Sequence, residues 1–532
     1  MRPRPVSRRD VLKGLAAATL VPLALGQRPA YRADAAGPHD HAGDALHAGS
    51  GATAALASPR QMRGMWIASV ANANWPSLTG LPVAEQKREF VSWLDLANER
   101  RFNAVFVQIR PTADAFWPSP YEPWSQYLTG VQGRDPGYDP LAFMIEAAHE
   151  RGLAFHAWFN PYRVSMQADP ALLAPEHPVR RHPHWGVAYG GSLYYNPGLP
   201  EVRAFVQDAI MDAVTRYDID GVHFDDYFYP YPLDGQEFGD ADAYARHGAG
   251  FPDRAAWRRN NVDLLIKEIG QRVRTEKPEV QWGISPFGIW RNSTTDPLGS
   301  ATTGSESYDQ QYADTRGWVK KGWLDYVVPQ LYWNIGLPAA DYAVLTPWWA
   351  EAVAGTGTQL WIGQAAYNVG VAGQPPAWQD PAELSRHLTL NREHPQIGGD
   401  VYFSSTDVRA DRLGFFTRLE NDHYTRPALG PVLPRLAEGD PPRRPVITHA
   451  RHTGKGVELG FRATGHGEPR LYAVYRFGGQ DAAEAEGLVA VVPGGHRGEF
   501  LDTGGKRGAC YRVTALDRAN RQSEPSPSHQ VR

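Results

Sequence analysis

The sequence predicts an α/β chain, with a (β/α)8 TIM barrel over residues 60–424 and a small all-β sandwich over residues 445–532. Three observations carry that expectation. Eight short runs of β-branched and aromatic residues alternate with helical patterns. The first run leads into Ile67-Ala68-Ser69-Val70-Ala71-Asn72, without the glycines that a doubly wound nucleotide-binding sheet needs after its first strand. Beyond a break at Pro427, Pro431, Pro434, Pro441, Pro442 and Pro445, the pattern changes to strand alternation. A length of 532 residues suits two or three domains, and 42% hydrophobic residues can fill a large core.

Strands are expected at Met65–Ser69, Ala104–Arg110, Ala154–Asn160, Gly221–Asp226, Gln281–Phe287, Tyr326–Trp333, Leu360–Ala366 and Asp400–Ser404. Helices are expected between them at Glu85–Arg100, Pro140–Arg151, Glu201–Tyr217, Arg254–Glu276, Thr315–Lys321, Asp341–Ala354 and Pro381–Arg392. Proline in the first turn marks two of the starts, Asp139-Pro140 and Leu199-Pro200-Glu201.

At the amino terminus, Ser7-Arg8-Arg9-Asp10-Val11-Leu12-Lys13 resembles a twin-arginine export motif. The apolar run from Gly14 to Leu25 is too short to span a membrane, and Ala33-Asp34-Ala35 offers a small-x-small cleavage site. Residues 1–35 therefore read as a signal peptide, and no cysteine follows the run to take a lipid anchor. Export to a secreted or extracytoplasmic location is expected, with no membrane span in the mature protein. Residues 36–58 are largely Gly, Ala, His and Asp and read as a flexible linker, with His39, His41 and His47 in a solvated tail.

Composition excludes several partners. With 54 basic and 58 acidic residues the formal charge is −4, so there is no electrostatic reason to expect nucleic acid. Only eight of the basic residues are Lys, so the Arg excess reads as codon usage rather than a basic surface. The single cysteine, Cys510, excludes a disulfide framework and a Cys-rich metal site. His182-Pro183-His184 has no matching acid spacing and reads as a loop. No cofactor and no metal are expected.

Residues 425–444 read as a proline-rich linker. Beyond them Cys510-Tyr511-Arg512-Val513-Thr514-Ala515-Leu516-Asp517 resembles the penultimate strand of a fibronectin type III domain, with Tyr511, Val513 and Ala515 on one face. Such modules are more often spacers or docking surfaces than catalysts.

Catalytic residues of a barrel project from the carboxyl ends of its strands. Those ends read Gln108-Ile109-Arg110 with Asp114 close behind, then His156-Ala157-Trp158-Phe159-Asn160-Pro161-Tyr162-Arg163. Next come His223-Phe224-Asp225-Asp226-Tyr227-Phe228-Tyr229, Ser285-Pro286-Phe287-Gly288-Ile289-Trp290-Arg291 and Gln330-Leu331-Tyr332-Trp333. Aromatic rings cover the apolar faces of sugars, amides and guanidinium groups read hydroxyls, and acids move protons. The collection is one that a sugar site needs. Substrate contacts are therefore expected from Arg110, His156, Trp158, Asn160, His223, Tyr229, Trp290, Arg291, Gln330, Tyr332 and Trp333.

These strings also resemble a known family. Gly221-Val222-His223-Phe224-Asp225-Asp226-Tyr227-Phe228-Tyr229-Pro230 is similar to the motif of the glycosyl-hydrolase-like family 10, and Arg63-Gly64-Met65-Trp66 and Val328-Pro329-Gln330-Leu331-Tyr332-Trp333 match it too. The resemblance spans roughly residues 60 to 420. It implies a barrel and a bacterial glycosidase role, with peptidoglycan glycan strands as one substrate type.

Alternation points His223 and Asp225 into the barrel, with Asp225 at the last inward position, where a nucleophile or electrostatic stabiliser belongs. Asp226 begins the loop and is either an acid or a loop cap and Arg partner, with the second role slightly favoured. Glycoside hydrolysis usually requires a second carboxyl. Asp226, Asp114, Glu306 and Asp309 remain open for it, although Asp114 can instead hold Arg110 and Asp309 can start a helix. The expected function is an exported glycoside hydrolase acting on a bacterial envelope glycan, probed first with peptidoglycan strands stripped of stem peptides. Hydrolysis of another extracellular polysaccharide and non-catalytic glycan binding are the alternatives.

Overall fold

The computed structural model describes residues 60–465, 467–478 and 487–532. The export motif, the cleavage site and the linker up to residue 58 lie outside the described residues. Strands β1 (Met62–Ile67), β2 (Ala104–Arg110), β3 (Ala154–Phe159), β4 (Arg163–Ser165), β5 (Gly186–Tyr189), β6 (Ser192–Tyr195), β7 (Gly221–Phe224), β8 (Gln281–Ile284), β9 (Tyr326–Val327), β10 (Gln359–Gln364) and β11 (Ile397–Tyr402) follow one another along the chain. A closed parallel barrel joins eight of them in the order β1-β2-β3-β7-β8-β9-β10-β11, with β11 returning to β1 from Met62↔Gly399 to Met65↔Tyr402. The fold is the (β/α)8 barrel that the strand–helix alternation predicts.

The helices Val83–Glu99, Pro140–His149, Pro200–Arg216, Arg254–Glu276, Thr315–Lys320, Tyr342–Val353 and Glu383–Asn391 stand within two residues of the expected positions. Asp139 and Asp253 cap two of them by accepting from the N–H groups of Ala142 and Ala256. A cap of this kind is worth about 1 kcal/mol. The last βα unit is closed by Ser405–Ala410 and Phe415–His423, which lie beyond the helices expected from periodicity.

Inward positions of the strands fill the barrel with rings. Phe106 stacks on His156 and Tyr326 on Trp361, each with centroids 4.3 Å apart. Two glycines make room for them. A Cβ at Gly221 would lie 2.3 Å from His156 Nδ1, and one at Gly283 would lie 2.4 Å from the Tyr326 ring. Alternating large and small inward residues is how a barrel of this size closes without a void.

The ladder stops short of the expected strand ends. Strands expected to run to Asp226, Phe287 and Trp333 end at Phe224, Ile284 and Val327. Pro286 and Pro329 carry no N–H for a ladder, and beyond them only single bridges such as Phe287↔Gln330 remain. The site residues therefore sit on backbone that has left the sheet. A second departure is the antiparallel sheet β4-β6-β5 between β3 and β7. Its β5–β6 hairpin turns at Gly190-Gly191, both with positive φ, with Tyr189 opposite Ser192. That dipeptide is the sequence signal of a two-residue turn.

Strands β12 (Val446–Thr453), β13 (Gly456–Arg462), β14 (Leu471–Phe477), β15 (Leu488–Pro493), β16 (Arg497–Asp502), β17 (Cys510–Leu516) and β18 (His529–Gln530) form two antiparallel sheets, β12-β13-β16 and β15-β14-β17-β18. Val457, Leu459, Phe461, Tyr472, Val474, Tyr511, Val513 and Ala515 make their shared core. The inward face expected of Tyr511, Val513 and Ala515 is thereby realised.

The sandwich and the proline-rich segment are tied to the amino-terminal end of the barrel. Asp220, just before β7, accepts from Phe155 N at 2.8 Å and His149 Nε2 at 2.9 Å, and Arg470 of the sandwich lies 3.3 Å away. Asp325, just before β9, accepts from Trp282 N at 2.9 Å and pairs with Arg435 of the segment at 2.9 Å. Leu429 and Leu433 of that segment are buried. The stretch read as a linker is therefore laid down as a strap on the barrel. Arg470 and the His149 hydrogen bond hold the Asp220 carboxyl far below the usual carboxylate range against the burial that opposes ionisation. A depressed folded-state pKa stabilises the fold above the unfolded carboxylate value of about 3.9, and that contribution fades as the pH falls below it. Asp220→Asn is accordingly expected to destabilise the full chain by about 1.5–3 kcal/mol at pH 7. Denaturant melts across pH should show the gap to wild type closing below about pH 4.

Candidate active site

The carboxyl end of β7 carries two sequence-adjacent acids, Asp225 and Asp226, only 4% and 5% exposed. Asp225 is held by donors. Its Oδ2 accepts from Asn160 Nδ2 at 2.7 Å and its Oδ1 from the Tyr227 backbone N–H at 3.1 Å. Arg163 Nη2 stands 4.0 Å from Oδ2.

The direction of the Asn160 amide is fixed from farther down the barrel. Two backbone donors, Ser69 N at 3.0 Å and Val70 N at 2.9 Å, point at Gln108 Oε1. Backbone N–H groups can only donate, so Oε1 is an acceptor and Gln108 Nε2 a donor. Nε2 donates to Asn160 Oδ1 at 2.6 Å, which leaves Asn160 Nδ2 to donate to Asp225. Asn160 Nδ2, the Tyr227 N–H and Arg163 are all donors, and a proton placed on Asp225 would meet none of them as an acceptor. Asp226 is held differently. Gln330 Nε2 donates to its Oδ1 at 3.1 Å, while its Oδ2 meets the Tyr231 hydroxyl. A hydroxyl both donates and accepts, so Oδ2 of Asp226 is where a proton can reside. Burial pushes both carboxyls up, with the Asp226 charge adding to the rise at Asp225 and Arg163 opposing it. The two acids titrate as a pair, and the hydrogen-bond pattern decides which of them keeps the proton.

One layer below lies His223. Trp66 Nε1, which can only donate, meets His223 Nε2 at 3.2 Å, so the ring proton sits on Nδ1 and points at Tyr326 Oη at 3.2 Å. Tyr326 Oη also lies 3.1 Å from His156 Nδ1. Burial lowers both histidines, His156 to about 4, so both are neutral. The floor of the site is uncharged.

The remaining expected site residues are distributed unevenly. Asn160 and Gln330 touch the acids, and Tyr332 lies close enough for their charges to act on its hydroxyl. Trp158 borders His223 with ring centroids 6.5 Å apart, and its Nε1 has no partner. Trp333 packs on Phe287 at 5.4 Å, next to the Gln330 bridge.

Others are committed elsewhere. Arg110 is fully buried, with a two-pronged pair to Glu122 at 2.5 and 2.6 Å and bonds to the carbonyls of Asn160 and Pro161. It holds the loop that carries Asn160, and Glu122 rather than Asp114 is its partner. His156 packs in the barrel core, and Tyr229 is buried beside Tyr312 and the Arg258 guanidinium. Trp290 stacks on Trp348 and donates to Asp314 at 3.1 Å. Arg291 pairs with Asp309 at 2.8 Å and Asp296 at 2.9 Å.

The same contacts narrow the choice of a second acid. Asp309 is engaged by Arg291, and Glu306 accepts from the Asn292 N–H at 2.6 Å. Asp114 is sealed from solvent beside Thr112 and Ser125, away from the pair, and burial raises it to about 7. Asp226 is the acid that shares the site with Asp225. Sequence reasoning passed over Gln108, Arg163, Tyr231 and Trp66 as site residues. Gln108 and Arg163 stand in the strand-end strings, and their roles depend on what lies across the barrel. Among the described residues no three His, Cys, Asp or Glu side chains gather as metal ligands, and no helix is long and apolar enough to cross a membrane.

Gln108→Glu replaces the donor that fixes Asn160 with a second acceptor. It is expected to destabilise the protein by about 1–3 kcal/mol through the unpaired buried groups it creates. Thermal unfolding beside Gln108→Met, which keeps volume without the reversed polarity, measures the effect.

Known proteins share this chain's pattern. Residues 61–380 match the family described as glycosyl hydrolase-like 10. Glycosyl hydrolase YngK of Bacillus subtilis (strain 168) is 47% identical over 479 residues, 88% of this chain and 93% of the relative. Glycosyl hydrolase DigH of Escherichia coli (strain K12) is 40% identical over 366 residues, 65% of this chain and 83% of the relative. Among solved structures, the PgaB (BpsB) glycoside hydrolase domain from Bordetella bronchiseptica is 15% identical with a TM-score of 0.44, covering 68% of this chain and 98% of that one.

Proposed function

This chain belongs to the glycosyl hydrolase-like 10 family and is a glycosyl hydrolase, and from that premise we propose that it cleaves a bacterial envelope glycan, namely peptidoglycan strands freed of their stem peptides. The observation that carries the reading is the adjacent pair at the end of β7, one carboxyl ringed by donors and the other facing a hydroxyl. Glycosidic cleavage asks for a carboxylate and a carboxylic acid that flank the scissile bond. Asp225, as the carboxylate, stabilises or attacks the anomeric carbon as positive charge develops there. Asp226, as the acid, delivers its proton to the departing glycosidic oxygen, and water completes the hydrolysis. Asn160 and Gln330 set the two carboxyls. Trp158, Tyr332 and Trp333 supply ring faces for sugar.

Export through the twin-arginine signal would place the enzyme where such strands are found. The C-terminal sandwich, in this reading, is a fibronectin type III module. Its ties to the barrel support a bracing role. The test is to incubate the mature protein and Asp225→Asn with purified peptide-free glycan strands and to analyse the products by mass spectrometry. Fragments gaining one water per cut are expected from the wild type, with turnover lower by about 10²–10⁴-fold in the variant. Full turnover by Asp225→Asn would sink the assignment of Asp225. An inert wild type that cuts another extracellular polysaccharide would transfer the activity to that polymer.

A further inference from the structure

Arg163 lies beside the two acids on β4, the first strand of the sheet inserted after β3. Its guanidinium is 4% exposed, 4.0 Å from Asp225 at Nη2 and 4.3 Å above the Tyr227 ring. Nη1 meets Met166 Sδ at 3.7 Å, while Nε and Nη2 have no hydrogen-bond partner. A guanidinium keeps its charge in any protein setting, and a buried charge without a counter-charge is strongly unfavourable. The positive charge of Arg163 therefore needs one negative charge close by, and the Asp225–Asp226 pair is the acidic group beside it.

Counting charges then limits the pair. With both acids ionised the buried cluster has a net charge of −1, and with both protonated +1. One proton makes it neutral. The other groups facing the cluster do not alter the count. Tyr227, Tyr231 and Tyr332 beside the acids, and Tyr194 beside Arg163, have hydroxyls pushed up by burial and stay neutral. Asn160 and Gln330 are amides, and His223 below is neutral.

We propose that Arg163 is a positioning residue whose single charge holds the Asp225–Asp226 pair at one proton, with the carboxylate on Asp225 and the acid on Asp226. The assignment rests on the proposed function for its catalytic meaning and on the geometry and charge count of the cluster for its charge state. Arg163 acts through the acids rather than on the substrate. Its guanidinium is also the reason the inserted sheet is part of the active site.

Two measurements test it. In pH–rate profiles on peptide-free glycan strands, Arg163→Gln should move both limbs of the bell upward by about one to three pH units, since a neighbouring cation lowers a carboxyl by about that much. Arg163→Lys, which keeps the charge, should leave the bell where the wild type has it. A profile of unchanged position in Arg163→Gln, whatever its height, overturns the proposal.

The second measurement needs no substrate. At neutral pH, Arg163→Gln should lower the melting temperature of the otherwise native chain, but raise it in the Asp225→Asn, Asp226→Asn double variant, where the guanidinium has lost its counter-charge. A melting shift of the same sign in both backgrounds overturns the charge assignment. If Arg163→Gln alone does not fold, the double and triple variants still decide, because a further loss of stability in the triple variant contradicts the compensation. A wild type inactive on glycan strands would defeat the proposed substrate while leaving the melting result to judge Arg163.

Discussion

Two neighbouring carboxyls buried at the end of β7 impose the constraint that organises the upper half of this barrel. Adjacent acids in a dry site repel and resist ionisation, so something has to donate to one of them and something has to leave the other free to keep a proton. The structure meets the first demand through a chain that begins at the backbone. Ser69 and Val70 orient Gln108, Gln108 orients Asn160, and Asn160 presents its amide hydrogen to Asp225. The second demand is met by Tyr231, whose hydroxyl can take either role. Arg110 belongs to the same arrangement because it grips the carbonyls of Asn160 and Pro161 from below.

The strand that ends in these acids also begins with one. Asp220 and Asp225 are five residues apart, and their environments push them in opposite directions. At the amino-terminal end, Arg470, His149 and the Phe155 N–H converge on Asp220 and hold it ionised as a structural anchor for the sandwich. At the carboxyl end, burial and the adjacent Asp226 charge outweigh the help from Arg163 and Asn160 and push the carboxyl up. The same kind of side chain anchors the fold at one end of a strand and, in the proposed function, is the site carboxylate at the other, a division of labour that a parallel barrel makes possible.

Much of this was legible in the sequence because it depends on local pattern. Short β-branched and aromatic runs and helical spacing located the eight strands and seven of the helices, since each barrel strand buries both faces and each helix only one stripe. The Gly221-to-Pro230 string located the acids for the same reason, because strand alternation is a local rule. Other features escaped. Gly190-Gly191 marked a hairpin whose importance lies in where it delivers β4. Residues 425–444 look like a linker in composition, yet Leu429, Leu433 and Arg435 pack on the barrel because complementary groups wait there.

By itself, the sequence determined the barrel, the module behind it and the strand ends at which the chemistry gathers. It could do so because backbone geometry ties residue spacing to direction within a single element. Which groups donate to each acid, which arginine stands beside Asp225, and which of the aromatic and basic candidates are occupied elsewhere were decided only by the tertiary structure. Arg110 and Arg291 read like substrate contacts until Glu122, Asp309 and Asp296 are brought beside them. Charge and hydrogen-bond state are properties of neighbours, and those of Asp225 come from the turn after β3, from β4 and from the loop after its own strand.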